Sequence, residues 1–212
     1  MFSLLLTMCG MTVEKSDEPF TQEIEKLSDA ELQKLNTAYF ASGCFWCVEA
    51  IFESVHGVKE AVSGYSGGSE LDPTYEQVGR GETGHTEAVL VYYDSTKISY
   101  ETLILVYYGS HDPTTVNGQS PDFGTQYRSM IFYQNQRERK LAESYKSKIE
   151  SSGKYNKPIA TEIVMFSKFW KAEEYHQDYE KLHPDNSYVK SVSIPRLEKF
   201  KKKFPELLKE SK

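Results

Sequence analysis

The stretch TAYFASGCFWCVEAIFESV, residues 37–55, changes its hydrophobic pattern halfway along. TAYFA is a short apolar run typical of a strand, and the following Ser-Gly marks a turn. From Cys44 onward, cysteines and apolar residues recur at i, i+3, i+4, i+7, i+8 and i+11, which is the spacing of one helix face. The stretch therefore predicts a strand, a tight turn and a helix, with Cys44 at the helix N-terminus and Cys47 on the same face.

Strand and helix patterns alternate through the rest of the chain. Three further strands are predicted at 58–68, 85–94 and 127–133, with a helix at 99–111. The order β-α-β-β-α-β predicts an α+β fold with a ferredoxin-like split core, in which two helices cover one face of a mainly antiparallel sheet. Additional C-terminal elements are a charged helix at 134–152, a strand at 160–166, an amphipathic helix at 169–184 and a solvated, lysine-rich helix before Pro205.

Three segments are predicted along the chain. Residues 1–36 form an N-terminal extension, where Ser28 and Glu31 make a capping box for a short helix at 28–35. Residues 37–204 form the main domain, and residues 205–212 form a C-terminal tail. LTMC, residues 6–9, resembles the end of a bacterial lipoprotein signal. Lipid attachment in the bacterial envelope through Cys9 is therefore the alternative to the expected cytoplasmic location.

Composition argues against several classes of partner. The chain has 212 residues and a formal net charge of -6, whereas nucleic-acid binding needs a basic surface. Its longest apolar run, MFSLLLTMCG, is far shorter than the ~20 residues of a spanning helix, so we expect no transmembrane segment. Three cysteines are too few for a secreted disulfide scaffold. No heptad pattern indicates association, and we expect a monomer.

The spacing of the two central cysteines favours a reactive pair. A helix N-terminus favours a thiolate, which predicts that Cys44 is the more acidic and more nucleophilic thiol. Residues three apart on a helix have Cβ atoms ~5–6 Å apart, further than a relaxed disulfide allows, so a bond to Cys47 would be strained and easily reduced. A structural disulfide, a zinc site and inert packing remain as alternatives. Of these, zinc lacks a second cysteine pair, and the H-x-E of His85 and Glu87 lacks the P-C-x-x-C of zinc deaminases.

Strand alternation indicates a candidate proton donor, and the length of one loop indicates a candidate wall of the site. Glu87 alternates with Val89 and Val91, so its carboxyl lies on a largely apolar strand face. Lost solvation would raise its pKa and keep a proton available near neutrality. A carboxylate at a strand end in contact with water explains the pattern equally well. The loop at 109–126 is longer than most loops in compact domains and is a candidate wall of the site.

A series of motifs resembles the type A peptide methionine sulfoxide reductases over about residues 37–204. The motifs occur in family order: SGCFWCVEAIF, GYSGG, PTYEQV, GETGHTEAV, HDPT, GTQYRS and YHQDY. The resemblance implies the split fold and an enzyme that reduces methionine S-sulfoxide, free or in proteins, without a cofactor or metal. It implies that Cys44 is the nucleophile and that Glu87 protonates the sulfoxide oxygen. The remaining implied site residues are Tyr75 and Tyr127, which bind that oxygen, Phe45 and Trp46, which hold the S-methyl group, and Asp122, which lines the site.

The same resemblance implies a second thiol that resolves a sulfenic acid at Cys44 to a disulfide. Many family members have glycine where this chain has Cys47 and keep resolving cysteines in a C-terminal tail. No cysteine follows Cys47 here, so we expect Cys47 to resolve, with Cys9 as the alternative. A thioredoxin-like protein is the implied reductant.

Two rival functions share some of these features. A thiol-disulfide oxidoreductase of the thioredoxin type would carry proline between its cysteines and a later cis-proline loop, and we expect neither here. A module that binds oxidised methionine without turnover would need Cys47 only for packing. Formation of a Cys44–Cys47 disulfide after exposure to substrate would exclude that module.

Overall fold

A six-stranded sheet organises the part of the chain that the structure, a computed structural model, describes: residues 26–210. Cys9 and most of the predicted extension lie outside these residues. The strands are β1 (Asn36–Ala41), β2 (Val58–Ser66), β3 (Thr86–Tyr93), β4 (Gly118–Gln119), β5 (Asp122–Phe123), β6 (Met130–Tyr133), β7 (Glu162–Met165) and β8 (Phe169–Lys171). The α-helices are α1 (Asp29–Leu32), α2 (Phe45–Glu53), α3 (Tyr75–Gly79), α4 (Tyr100–Gly109), α5 (Gln136–Ser151), α6 (Tyr179–Leu182) and α7 (Ile194–Lys203).

The sheet has the strand order β7-β6-β1-β3-β2-β8 and is mostly antiparallel. Only β6 and β7 pair in parallel, and β4 and β5 form a separate hairpin. Helix α2 connects β1 to β2, and α4 lies between β3 and β6. The structure is therefore a mixed α/β fold with a mostly antiparallel sheet. None of the helices within 26–210 is both long and apolar enough to cross a membrane.

Both faces of the central strands are buried, which explains their near-continuous apolar sequences. Phe40 of β1 points to the main core, where α2 and α4 pack, and its ring stacks on Phe52 at 5.0 Å. The neighbouring Tyr39 points to the opposite face and stacks on Phe166 at 3.9 Å. The alternation along β1 thus holds α2, and the cysteines at its start, against the centre of the sheet.

The predicted amphipathic helix at 169–184 is wrong. This segment instead forms β8, a 3-10 turn at Glu174–His176 and the short α6. Gln177 inserts between them, where its side chain accepts from the Ser63 N–H and donates to the Ser63 carbonyl. Asp178 then takes a left-handed conformation with φ of +54°, which no continuous helix allows. Tertiary hydrogen bonds to β2 therefore override the local helical pattern.

The C-terminal lysine-rich segment is helical before Pro205, as predicted, but one face of it is not solvated. Phe200 of α7 is 1% exposed and packs in the main core. Beyond α7, Leu207 and Lys209 form backbone hydrogen bonds with the end of α2. This helix therefore contributes to the surroundings of α2 and is not a purely solvated element.

Gly64 allows β8 to approach β2 closely. A Cβ at Gly64 would lie 2.3 Å from both the Phe169 ring and the carbonyl oxygen of Trp170. We expect Gly64→Ala to destabilise the fold by about 1 to 3 kcal/mol in urea unfolding, because the added methyl group forces β8 away. Gly79→Ala is the matched control, since nothing lies within 4 Å of a Cβ there. Equal losses in the two variants would contradict this account of the β2–β8 contact.

Candidate active site

The turn between β1 and α2 places Cys44 at the start of the helix. Gly43 has φ of +82°, and a Cβ there would lie 2.8 Å from Cβ of Gln119, so the turn requires glycine. The Gly43 N–H donates to the carbonyl of Tyr127 at 3.2 Å. Cys44 is the N-cap of α2 and Cys47 lies in its first turn, as predicted, and both thiols are buried and reduced.

Burial and mutual hydrogen bonding set the acidity of the two thiols. Burial raises the pKa of Cys44 well above that of an ordinary thiol, and the hydrogen bond with Cys47 and the Glu87 carboxyl raise it further. The hydrogen bond with Cys44 lowers the pKa of Cys47, and the Arg196 guanidinium also lowers it. Desolvation of Cys44 therefore opposes the partial charge of the helix end, on which the prediction that Cys44 is the more acidic thiol rests.

Glu87 faces α2 from the centre of the sheet. It shares this face of β3 with Val89 and Val91, and its carboxyl accepts a hydrogen bond from the Phe45 N–H at 2.9 Å. Burial raises the pKa of Glu87 to about 8, although the Phe45 N–H opposes the shift. The predicted rise is confirmed, and the alternative of a solvated carboxylate is excluded, because Glu87 is 2% exposed.

Tyr75 and Tyr127 lie beside this carboxyl. Tyr75 begins α3, and its backbone N–H donates to the Glu173 carboxylate at 3.0 Å. Burial and the neighbouring Glu87 raise the pKa of Tyr75 to about 12, and the same causes raise the pKa of Tyr127. Both hydroxyls are therefore protonated at neutral pH and can donate hydrogen bonds to a ligand next to Cys44.

Aromatic rings form a wall at the start of α2. The Trp46 ring stacks on Tyr179 with centroids 3.8 Å apart and planes 6° apart, and its indole N–H donates to Nδ1 of His176 at 3.2 Å. His176 also packs against the rings of Tyr75, at 4.2 Å, and Phe45, at 5.0 Å. Burial lowers the pKa of His176 to about 4, so Nδ1 stays an acceptor at neutral pH. Phe45 and Trp46 are thus held in place from behind.

The loop at 109–126, predicted as a wall of the site, approaches the cysteine pair through Asp122 and Tyr188. Asp122 of β5 accepts a hydrogen bond from the Tyr188 hydroxyl, whose oxygen is 4.0 Å from Sγ of Cys47. Burial raises the pKa of Asp122, although the Tyr188 hydroxyl opposes the shift. The Ser120–Pro121 peptide bond in this loop is cis, so the expectation of no cis-proline loop is wrong.

Sequence reasoning assigned no site role to His176, Tyr179, Tyr188 or Glu173. His176 and Tyr179 belong to the YHQDY motif, but nothing in the local sequence indicates that both of them contact Trp46. Tyr188 follows a loop in the C-terminal part of the chain and carries no local signal. Its contact with Cys47 depends on how the segment before α7 crosses α2, which only the tertiary structure shows.

Glu49, on α2, is the second buried carboxyl near the site after Glu87 of β3. It accepts hydrogen bonds from the Ser63 hydroxyl of β2 and from the Asp178 N–H. Asp178 is the N-cap of α6, which begins with Tyr179, so Glu49 joins α2 to the aromatic wall. Burial raises the pKa of Glu49 to about 8, and the nearby Glu53 carboxylate contributes to the rise.

Stability is expected to fall as the pH rises through about 8, because Glu49 and Glu87 bind protons more tightly in the folded chain than in the unfolded chain. Their contribution is complete below the ordinary carboxyl pKa of 4.5 and is lost as they ionise. We expect Glu49→Gln to reduce this loss between pH 5 and 9 by about 2 to 4 kcal/mol in urea unfolding at each pH. A variant with the wild-type pH dependence would show that Glu49 is not the titrating group.

The chain is similar to one protein family and to several known proteins. A family model described as Peptide methionine sulfoxide reductase matches residues 36–208. The chain is 45% identical to the peptide methionine sulfoxide reductase MsrA of Natronomonas pharaonis over 170 residues, 80% of this chain and 96% of the relative. It is 46% identical to that of Pasteurella multocida over 172 residues, 81% and 98% of the two chains. Methionine sulfoxide reductase A of Corynebacterium diphtheriae has a similar structure, with a TM-score of 0.63 and 34% identity, covering 71% of this chain and 76% of that one.

The mixed α/β fold and these similarities define an oxidoreductase that acts on methionine sulfoxide. The chain belongs to the peptide methionine sulfoxide reductase family. The family membership and enzyme class implied by the sequence motifs are confirmed.

Proposed function

We propose that this enzyme reduces methionine S-sulfoxide, free and in proteins, through a Cys44 sulfenic acid and a Cys44–Cys47 disulfide. One observation carries the proposal. The buried carboxyl of Glu87, with its raised pKa, is hydrogen-bonded to the same first turn of α2 that begins at Cys44. A nucleophilic sulfur and a proton donor thus share one small site, which is what oxygen removal from a sulfoxide needs.

The first step moves oxygen from substrate to enzyme. Cys44 passes its proton to the hydrogen-bonded thiolate of Cys47 and attacks the electrophilic sulfur of the sulfoxide. Glu87 protonates the sulfoxide oxygen, and the hydroxyls of Tyr75 and Tyr127 donate to it. The hydroxyl then moves to the Cys44 sulfur while the substrate's sulfur–oxygen bond and the bond between the two sulfurs break. Methionine departs with its sulfur reduced, and Cys44 remains as a sulfenic acid.

Substrate binding and recycling involve the other residues of the site. Phe45 and Trp46 hold the S-methyl group, and their fixed rings support this role. Asp122 lines the site next to Cys47 and orients Tyr188. Cys47 then condenses with the sulfenic acid, releasing water and forming a disulfide, and a thioredoxin-like dithiol reduces that disulfide. The GCFWC variant of the family motif places both sulfurs in the first turn of α2, which supports this assignment.

The fold topology, the domain boundaries, the oligomeric state and the location of the enzyme are part of the same proposal. The order β6-β1-β3-β2, with α2 and α4 as connections, supports the ferredoxin-like split core. The family match at 36–208 supports a reductase domain at 37–204. We further propose a monomeric, cytoplasmic enzyme, with lipid attachment through Cys9 as the alternative that membrane fractionation of the full chain would reveal.

Turnover on the separate S and R epimers of methionine sulfoxide, with thioredoxin and its reductase, tests the reaction. We expect consumption of the S epimer alone, in free methionine and in an oxidised peptide. Cys44→Ser is the control and should consume neither epimer. Turnover of the R epimer, or none of either, would contradict the proposal, and tight binding without turnover would favour the rival binding module.

A further inference from the structure

Arg196 of α7 lies directly beneath the turn that carries Cys44. Its Nε donates to the Ser110 carbonyl at 2.9 Å, and its Nη2 donates to the Ser42 carbonyl at 2.9 Å. Its Nη1 lies 3.5 Å from the position that a Cβ on Gly43 would occupy. Two backbone carbonyls thus hold the guanidinium fork at a fixed place, one residue away from Cys44.

The charge of this guanidinium has no carboxylate partner. Across the part of the chain that the structure describes, Arg196 and the exposed Arg137 have no Asp or Glu oxygen within 4.0 Å, whereas Arg80, Arg128 and Arg139 each have such a partner. The Asp122 carboxylate is affected by this charge from a longer distance and accepts its hydrogen bond from Tyr188. A partly buried cation held by neutral carbonyls alone favours an anion in its surroundings. The Asp122 carboxylate is one such anion, and a thiolate of the cysteine pair at the start of α2 is a second.

We propose that Arg196 stabilises the thiolate of Cys47 and thereby sets the rate at which Cys47 resolves the Cys44 sulfenic acid. This inference rests on the proposed function, because it concerns the second step of that reaction. In this step the Cys47 thiolate attacks the sulfur of the sulfenic acid, the sulfur–sulfur bond forms and the sulfur–oxygen bond breaks. The departing oxygen keeps the proton of the sulfenic acid, takes the proton that Cys47 gave up on becoming a thiolate, and leaves as water. Arg196 acts through its charge on Cys47 and does not contact the substrate.

The groups that face Cys47 determine how this step depends on pH. They are Cys44 at the start of α2, Glu87 on β3, Tyr188 with its partner Asp122 on β5, and Arg196 on α7. Of these, only Arg196 carries a permanent positive charge. The guanidinium lowers the pKa of Cys47, so removal of its charge should raise that pKa.

Single-turnover mixing with methionine S-sulfoxide from pH 5 to 9 tests the inference, with sulfenic acid trapped by dimedone and disulfide followed by mass spectrometry. We expect Arg196→Gln, which keeps hydrogen-bonding capacity but removes the charge, to shift the pH profile of disulfide formation up by about one unit. At pH 5 this corresponds to disulfide formation about tenfold slower than in the wild type. Arg196→Lys should keep the wild-type profile, and Lys199→Gln is the control for losing an exposed charge from the same helix.

A second measurement distinguishes the loss of charge in Arg196→Gln from a distortion of the turn that carries Cys44. Iodoacetamide alkylation of Cys47 is followed against pH in the Cys44→Ser background, with and without Arg196→Gln. An upward shift supports the inference even if methionine release is slowed in the variant. Superimposable profiles with and without the arginine, or equal shifts in Arg196→Gln and Arg196→Lys, would overturn it. A wild-type enzyme that forms no Cys44–Cys47 disulfide would instead contradict the proposed function.

Discussion

Replacing Cys47 with serine is expected to leave an enzyme that releases one equivalent of methionine and then stops. Cys44 is the N-cap of α2, Cys47 lies in the first turn of this helix, and both cysteines are buried. An external thiol must replace an internal one of high effective concentration, so we expect steady-state turnover with thioredoxin to fall roughly 100-fold or more. Quenched-flow measurement of methionine shows the single equivalent, and dimedone labelling locates the sulfenic acid at Cys44.

Cys9→Ser is the matched control for this experiment. It tests the alternative resolving thiol and should turn over like the wild type. Mass spectrometry of the wild-type enzyme, treated with methionine S-sulfoxide without reductant, should show a loss of two hydrogens in the peptide that carries Cys44 and Cys47. Normal turnover of Cys47→Ser, combined with arrest of Cys9→Ser, would transfer the resolving role to Cys9.

Glu87→Gln is expected to slow single-turnover methionine release by about 10² to 10⁴, the usual contribution of a positioned general acid. The amide can still accept from the Phe45 N–H, so the start of α2 keeps its hydrogen bond, but it cannot deliver a proton to the sulfoxide oxygen. The wild-type rate should also fall as the pH rises through about 8, because the buried carboxyl then ionises. The variant should lack this decline.

Glu49→Gln is the control that separates proton donation from the general effect of a buried carboxyl. Its pKa is raised to about 8, like that of Glu87, but its hydrogen bonds run to Ser63 and Asp178 and not to the turn that carries Cys44. It should change the pH dependence of stability while keeping the decline of the single-turnover rate above pH 8. An unchanged release rate in Glu87→Gln would remove Glu87 from the mechanism.

Some of the site was predictable because the patterns concerned are local. The helical spacing from Cys44 to Val55 places both cysteines on the buried face of α2, and strand alternation places Glu87 with Val89 and Val91. Each position follows from the periodicity of one element. The segment at 169–184 has helical periodicity too, but hydrogen bonds from Gln177 to β2 and the left-handed Asp178 divide it. Local periodicity does not contain those distant partners.

By itself, the amino-acid sequence determined the order of the core elements from β1 to β6, the start of α2 at the cysteine pair and the family to which the chain belongs. Only the tertiary structure showed the surroundings that shift the pKa values of the two thiols, because burial of Cys44 and the position of Arg196 depend on residues far apart in the chain. It also decided that Tyr188 connects Asp122 to Cys47. Periodicity is a property of neighbouring residues, whereas solvation and charge depend on everything packed around a group.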